Sequence, residues 1–210
     1  MNAVLEVTAL SAGYGATRAI RAVTMRVEQG EHHAIVGGPG SGKTTLLRTV
    51  VGLHPAANGT IRFNDSDITR ERPEWRKARG LCLMPQNHRL FTSLTVEENL
   101  LVGARWAAPG PWTLNKVYDL YPNLREKRRA HAAALSLTEH QAAAVGRALM
   151  ANPRILLLDA PADLSALDRL TKEGLAVVAA TREAPAGACH VHRLVDGTVT
   201  TTRTEVRCRR

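Results

Sequence analysis

Short apolar runs separated by helical stretches extend along the whole 210-residue chain, the pattern of an α/β protein. The runs predict strands at Val4–Val7, Val23–Val27, Ala34–Gly37, Thr60–Phe63, Gly80–Met84, Arg154–Asp159 and Leu175–Ala180. Val23, Met25 and Val27 alternate with Thr24 and Arg26, which predicts one buried face and an antiparallel setting. Ile155–Leu158 is instead unbroken and apolar, and it ends at Asp159. Such a run suits a central strand of a parallel sheet covered on both faces. From about Gln86 to Ala151 the pattern turns helical, interrupted by a Pro/Gly-rich loop at Ala107–Pro111. Trp106 and Trp112 flank that loop and are expected to anchor it rather than to touch a ligand. The chain carries neither an internal repeat nor a low-complexity segment.

Composition adds bounds. A hydrophobic fraction of 44% is ordinary for a globular protein. No stretch approaches the roughly 18 consecutive apolar residues of a membrane span, and the start, Met1 to Glu6, has no secretory pattern. The three scattered cysteines, Cys82, Cys189 and Cys208, predict thiols in a reducing cytosol rather than a disulfide framework. The net charge of +9 concentrates at Arg70–Arg79, Arg125–His131 and Arg203–Arg210. It fits attraction to nucleotide phosphates, anionic lipid or an acidic partner, nucleic-acid binding, or merely solvated helix faces and a frayed tail.

The most informative motif is Gly37-Gly38-Pro39-Gly40-Ser41-Gly42-Lys43-Thr44. It follows a short apolar strand, matches the phosphate-loop pattern and leads into the helical run Thr45–Val51. Glycines let backbone N–H groups turn inward around phosphate oxygens where a Cβ would obstruct them. The following helix adds unpaired N–H groups and the positive end of its dipole. Lys43 is then expected at the terminal phosphates and the Thr44 hydroxyl at magnesium. Asp159, at the end of a buried strand, is the natural second magnesium contact. Cys189, His190 and His192 bring three metal-capable side chains together, but along a strand they are expected to face different sides.

Further segments fall into one order. Tyr14 lies in Ser11-Ala12-Gly13-Tyr14-Gly15 and Gln86 in Met84-Pro85-Gln86; Leu94–Leu100 carries Thr95 and Glu98 at capping-box spacing. Gly146-Arg147-Ala148-Leu149-Met150 precedes Pro153 and Ile155–Asp159, and Ser165-Ala166-Leu167-Asp168 follows. This set resembles the ATP-binding subunit of ABC transporters across essentially the whole chain, and Val96–Leu100 with Val117–Pro122 look closest to importer subunits for branched-chain amino acids or urea. The resemblance implies a P-loop NTPase core with an antiparallel β subdomain, spanning 1–85 and 152–210. It also implies a helical subdomain over 86–151 carrying the signature segment. ATP and Mg2+ would be held by Tyr14, Gly37, Gly38, Pro39, Gly40, Ser41, Gly42, Lys43, Thr44, Thr45, Gln86 and Asp159. Thr44, Gln86 and Asp159 would be the magnesium group. Implied partners are membrane-spanning transporter subunits and a second ATP-binding subunit, in a homodimer or heterodimer on the cytoplasmic face of a membrane; nucleic acid is not expected.

Three positions depart from the family. The glutamate that polarises the attacking water is replaced by Ala160, whose methyl group accepts no proton. The histidine expected after the Leu175–Ala180 strand aligns with Arg182 in Thr181-Arg182-Glu183, although some importer subunits also lack it. The signature Leu-Ser-Gly-Gly-Glu/Gln reads Leu135-Ser136-Leu137-Thr138-Glu139. Ser136 and Glu139 keep capping-box spacing, whereas Leu137 and Thr138 put side chains where glycines permit close approach to phosphate. Three readings follow: a subunit that binds Mg·ATP with weak or absent hydrolysis, an active ATPase with its base relocated to Glu183 or Asp163, or a soluble ABC-type protein acting on nucleic acid.

Overall fold

Two sheets organise the protein. A computed structural model describes residues 3–87, 89–105, 107 and 109–203; Trp106, Cys208 and the basic tail beyond Arg203 lie outside the described residues. The first sheet is antiparallel, formed by β1 (Ala3–Tyr14), β2 (Thr17–Glu28), β4 (Asn58–Phe63) and β5 (Ser66–Asp67) in the order β2-β1-β4-β5. The second comprises β3 (His32–Val36), β6 (Leu81–Met84), β7 (Ile155–Asp159), β8 (Ala176–Thr181), β9 (His190–Val195) and β10 (Thr198–Arg203). Its order is β10-β9-β3-β8-β7-β6, parallel throughout except for the β9–β10 hairpin. Every residue of β3, β7 and β8 is buried, as expected of parallel strands covered on both faces.

The alternating strands run longer than their sequence pattern indicates. Ala9 and Ala22 sit at φ 48° and 47°, and the β1–β2 register shifts between Val7 and Leu10 and again between Leu10 and Ala12. Such irregularities change the phase of the inside–outside alternation, so pattern alone recovers only one segment of each strand. The β9–β10 hairpin has too little apolar periodicity to register in the sequence; its Thr-rich partner nevertheless suits an edge strand. Cys82 is a free buried thiol, pushed up to about 11 by burial. Cys189, contrary to the expectation of free thiols, is disulfide-bonded, because spacing along a chain does not report proximity in space.

Helix α1 (Lys43–Val50) follows β3, α2 (Pro73–Ala78) precedes β6, and α7 (Leu167–Lys172) lies between β7 and β8. Between β6 and β7 come α3 (Val96–Ala104), α4 (Leu114–Leu120), α5 (Pro122–Glu126) and α6 (Leu137–Leu149). Thr95 begins α3 with the predicted capping box, accepting from Glu98 N at 3.2 Å while Glu98 Oε2 accepts from Thr95 N at 2.7 Å. Helices α3 and α6 touch at Gly103, where a Cβ would lie 1.9 Å from the Arg147 carbonyl oxygen. Trp112 is buried and its backbone N–H donates to Asn152 Oδ1 at 2.7 Å, as befits an anchor of the preceding loop.

Arg76 is a buried cation that ties α1 to the segment before α2. The residue is 2% exposed, and its guanidinium donates to the carbonyls of Thr49, Val50, Thr69 and Glu71 at 2.7–3.0 Å. Two of those carbonyls lie at the C-terminal end of α1, where helical acceptors otherwise lack partners. Burial lowers the Arg76 pKa, but the four acceptors satisfy the charged form. Arg76→Ala is expected to destabilise the protein by about 2–4 kcal/mol through stranded carbonyls and lost packing. Urea denaturation of the purified variant checks this; a change below about 0.5 kcal/mol would show that water replaces the guanidinium freely.

Candidate functional site

Strand β3 ends at Val36 and helix α1 begins at Lys43, so residues 37–42 form the turn at the carboxyl edge of the parallel sheet, where ligands of open α/β sheets bind. The turn depends on backbone geometry that side chains would block. Gly42 caps α1 at φ 102°, and a Cβ there would lie 2.3 Å from the Ala19 carbonyl oxygen. Gly38 and Gly40, by contrast, have nothing within 4 Å of where a Cβ would stand. Neighbours therefore crowd the turn at Gly42, while Gly38 and Gly40 border open space.

The turn from Pro39 onward borders a cleft of about 900 Å³. Tyr14, Pro39 through Thr45, Gln86, Asp159 and Ala160 line it. Lys43 Nζ folds back onto the turn, donating to the Gly37 carbonyl, to the Gly38 carbonyl at 2.8 Å and to Ser41 Oγ at 3.3 Å. Thr44 Oγ1 donates to Asp159 Oδ1 at 3.0 Å. These two oxygens come from residues 115 positions apart, brought together because α1 starts beside the end of β7. Burial raises the Asp159 pKa, opposed by the Thr44 hydrogen bond and by Arg48 and Lys43. Burial also lowers the Lys43 pKa, with Asp159 opposing and Arg182 reinforcing the shift. Tyr14 is 53% exposed, its ring 4.5 Å from that of His54, leaving a large aromatic surface at the mouth.

Ala160 directly follows the buried carboxylate and adopts φ 51°. Its N–H donates to the Ala180 carbonyl at 3.0 Å, which fixes the start of the loop after β7. Arg182 and Glu183 both line the cleft. Asp163 does not appear among the described lining; its Oδ1 accepts from Ser165 N at 2.8 Å. Of the two carboxylates singled out as replacement bases, the structure brings only Glu183 to the cleft.

None of the cleft's described lining comes from Leu135–Glu139. That segment begins α6, with Ser136 as N-cap and Glu139 closing a complete capping box. Glu139 Oε2 accepts from Ser136 N at 2.9 Å, and Lys127 Nζ reaches Glu139 Oε1 at 2.6 Å. These contacts hold the Glu139 pKa at about 2, the Lys127 bond first and the Ser136 N–H second. Leu137 is 71% exposed, an apolar side chain held out from the helix start.

One positioning residue escaped the sequence reading. Gln141 is buried on α6 and donates Nε2 to the Asp163 carbonyl at 2.6 Å. Its Oε1 accepts from Ala162 N and from Asp163 N at 3.0 Å. It thereby ties the loop after Ala160 to the helix that carries the signature-like segment. A polar residue among alanines on α6 was the available signal. Ala19 and Leu164 also line the cleft; being small or apolar, they offered no chemical cue.

Comparison with known proteins matches this geometry. Residues 20–163 match the sequence model of the family described as ABC transporter. The chain is 35% identical over 160 residues to the high-affinity branched-chain amino acid transport ATP-binding protein BraG of Pseudomonas aeruginosa, covering 75% of this chain and 69% of that one. It is 32% identical over 167 residues to the probable branched-chain amino acid transport ATP-binding protein LivF of Archaeoglobus fulgidus, covering 75% and 68%. A nucleotide-free ATP-binding cassette from an ABC transporter superposes with a TM-score of 0.81 at 24% identity, over 97% of this chain and 92% of that one. An ADP conformation of another such cassette gives 0.81 at 22% identity, over 99% and 94%. The sequence match runs from within β2 to just past β7 and the fold match over nearly the whole chain, and the chain belongs to the ABC transporter family, as an ATP-binding domain.

Proposed function

We propose that this chain is the ATP-binding subunit of an importer for branched-chain or related amino acids, and that it holds Mg·ATP while hydrolysing it slowly or not at all. The similarity to BraG and LivF supports the cargo class. The observation that carries the weak hydrolysis is the complete phosphate turn, with Thr44 bonded to Asp159, standing beside a methyl group at Ala160.

The residues present fit nucleotide and magnesium. The backbone of Gly40 lines the cleft with open space beside it, which leaves room for phosphate oxygens close to the turn. Thr44 and Asp159 supply the hard oxygen donors that magnesium prefers. Bound magnesium would neutralise charge on the phosphates and orient them. Lys43 would exchange its carbonyl contacts for phosphate oxygens, Tyr14 would stack on the base, and Gln86 would face the metal and water. Arg182 adds a second cation near Lys43, though not a proton acceptor. With no carboxylate at position 160, the water has no base there, and ATP acts as a ligand that favours one conformation of the assembly.

An apolar groove gives the membrane partner a place to dock. Leu53, Phe91 and Val102 line it, with Lys77, Arg89 and Arg147 also contributing, and Leu53 and Phe91 are more than half exposed. Among the described residues no helix is long and apolar enough to cross a membrane, so passage of cargo falls to such a partner. A second cassette, identical or related, would complete the assembly by facing its signature segment toward this cleft.

A single-turnover experiment tests the reading. Purified protein mixed with trace labelled Mg·ATP is expected to retain the label as ATP. Prompt conversion to ADP by the protein alone would overturn weak hydrolysis and favour a second reading, an active ATPase using Glu183. The lining position of Glu183 supports that alternative, and in that case Glu183→Gln would abolish the conversion.

A further inference from the structure

At the opposite end of the strands that carry the nucleotide cleft lies a cluster of imidazoles. β3 and β9 pair in parallel with His33 beside His190 and Ile35 beside His192. Because side chains alternate across a strand, His33, His190 and His192 share one face. The expectation that Cys189, His190 and His192 would face different sides holds for Cys189, one position out of phase, but not between His190 and His192. Glu31 comes from the turn between β2 and β3 and reaches the same place.

We propose that Glu31, His33 and His190 form a binding site for one zinc-like divalent transition-metal ion. Their ligand atoms all lie within 4.8 Å of one another. Glu31 Oε2 is 2.8 Å from His33 Nε2, and Glu31 Oε1 is 3.8 Å from His190 Nε2. Tetrahedral zinc with bonds of about 2.0–2.1 Å sets its donors about 3.4 Å apart, a value between those two separations. Side-chain rotations that draw donors within 4.8 Å of one another to about 3.4 Å therefore admit an ion. Two imidazole nitrogens and one carboxylate suit zinc, cobalt or nickel, whereas magnesium and calcium take all-oxygen sets.

The surrounding contacts aim the ligands. His33 Nδ1 lies 2.9 Å from His192 Nε2, and His192 Nδ1 lies 2.8 Å from Thr201 Oγ1 on β10. In the tautomer chain that runs from His33 Nδ1–H to His192 Nε2, and from His192 Nδ1–H to the Thr201 hydroxyl, His33 Nε2 carries a lone pair. That tautomer forms when an ion binds: without one, Nε2–H donates to the Glu31 carboxylate at 2.8 Å, and an ion releases that proton to solvent and takes the lone pair, with the relay fixing the ring orientation. The His33 and His190 rings stack with centroids 4.5 Å apart. A cavity of about 480 Å³ between the two sheets reaches His190, His192 and Thr201, giving an ion a route inward. A bound ion would join the β2–β3 turn to both strands and so staple the two sheets where they diverge.

Tag-free full-length protein, stripped with chelator, provides the test when titrated with Co2+ and then Zn2+. One equivalent of Co2+ is expected, with visible bands of a tetrahedral ion, and Zn2+ should displace it and raise Tm. His190→Ala and Glu31→Gln are expected to weaken binding at least 100-fold, and Thr201→Val about 10-fold through loss of the relay. His190 and Glu31 are partly exposed, so their variants should fold, with circular dichroism as the check. Asp159→Asn should leave the stoichiometry at one. Failure to bind Co2+, or binding untouched by His190→Ala, would overturn the proposal. Loss of binding in Asp159→Asn alone would assign the ion to the nucleotide cleft and overturn it equally.

Discussion

Replacing Ala160 with glutamate is expected to accelerate ATP turnover by about 10²–10⁴-fold, the range typical of a positioned general base. The structure favours a gain because the parts around the position are already assembled. The backbone of Ala160 is fixed by its bond to the Ala180 carbonyl, and Asp159 immediately before it is bonded to Thr44. The backbone is left-handed at φ 51°, a cost alanine already bears, so glutamate should add little strain. The position lines an open cleft, where an added carboxylate stays solvated until nucleotide arrives. Quenched-flow measurement of ADP formation at saturating Mg·ATP gives the rate. An unchanged rate with nucleotide still bound would move the defect to Leu137 and Thr138. In that case Leu137→Gly and Thr138→Gly on the same background should supply the gain, by letting a second cassette approach the phosphates.

Lys43→Ala is expected to lower ATP affinity by about 10²-fold or more, the scale on which truncating one partner of a buried charged contact acts. Two effects combine. The phosphates lose a cation, and the Gly37 and Gly38 carbonyls that Lys43 now satisfies lose their donor. The variant should remain folded, because α1 is held independently by Gly42 at its start and by Arg76 at its end. Equilibrium binding of a fluorescent ATP analogue, with Tm as the folding control, measures the loss. Retention of affinity within about threefold would mean that the backbone N–H groups alone hold the phosphates.

Much of this was readable from the chain because the informative residues act locally. A glycine-rich turn between an apolar strand and a helix is dictated by backbone geometry, so Gly37–Thr44 and α1 follow directly. The same holds for Ser136 with Glu139 and for Thr95 with Glu98, where both partners of each cap lie within one turn. Features built from distant residues were hidden. Gln141 acquires its role only when α6 lies against the loop at Ala162 and Asp163. The imidazole cluster needs β3 and β9 side by side, and no spacing in sequence brings His33 to His190. Strand lengths were obscured by the displaced register at Ala9 and Ala22, and the hairpin at 190–203 by its polar composition.

The capping box that starts α6 bears on how such a chain changes over generations. Ser136 and Glu139 secure the helix without help from the two residues between them, and Leu137 is largely in solvent. Substitutions at 137 and 138 therefore escape the quality control that removes misfolded proteins, since the folded state hardly registers them. Only the demand for a close approach by a neighbouring cassette can select against them. Once that demand relaxes, these positions are free to drift while the helix, the Gln141 tie and the phosphate turn persist. A lineage can lose turnover by this route and keep a stable, nucleotide-binding subunit.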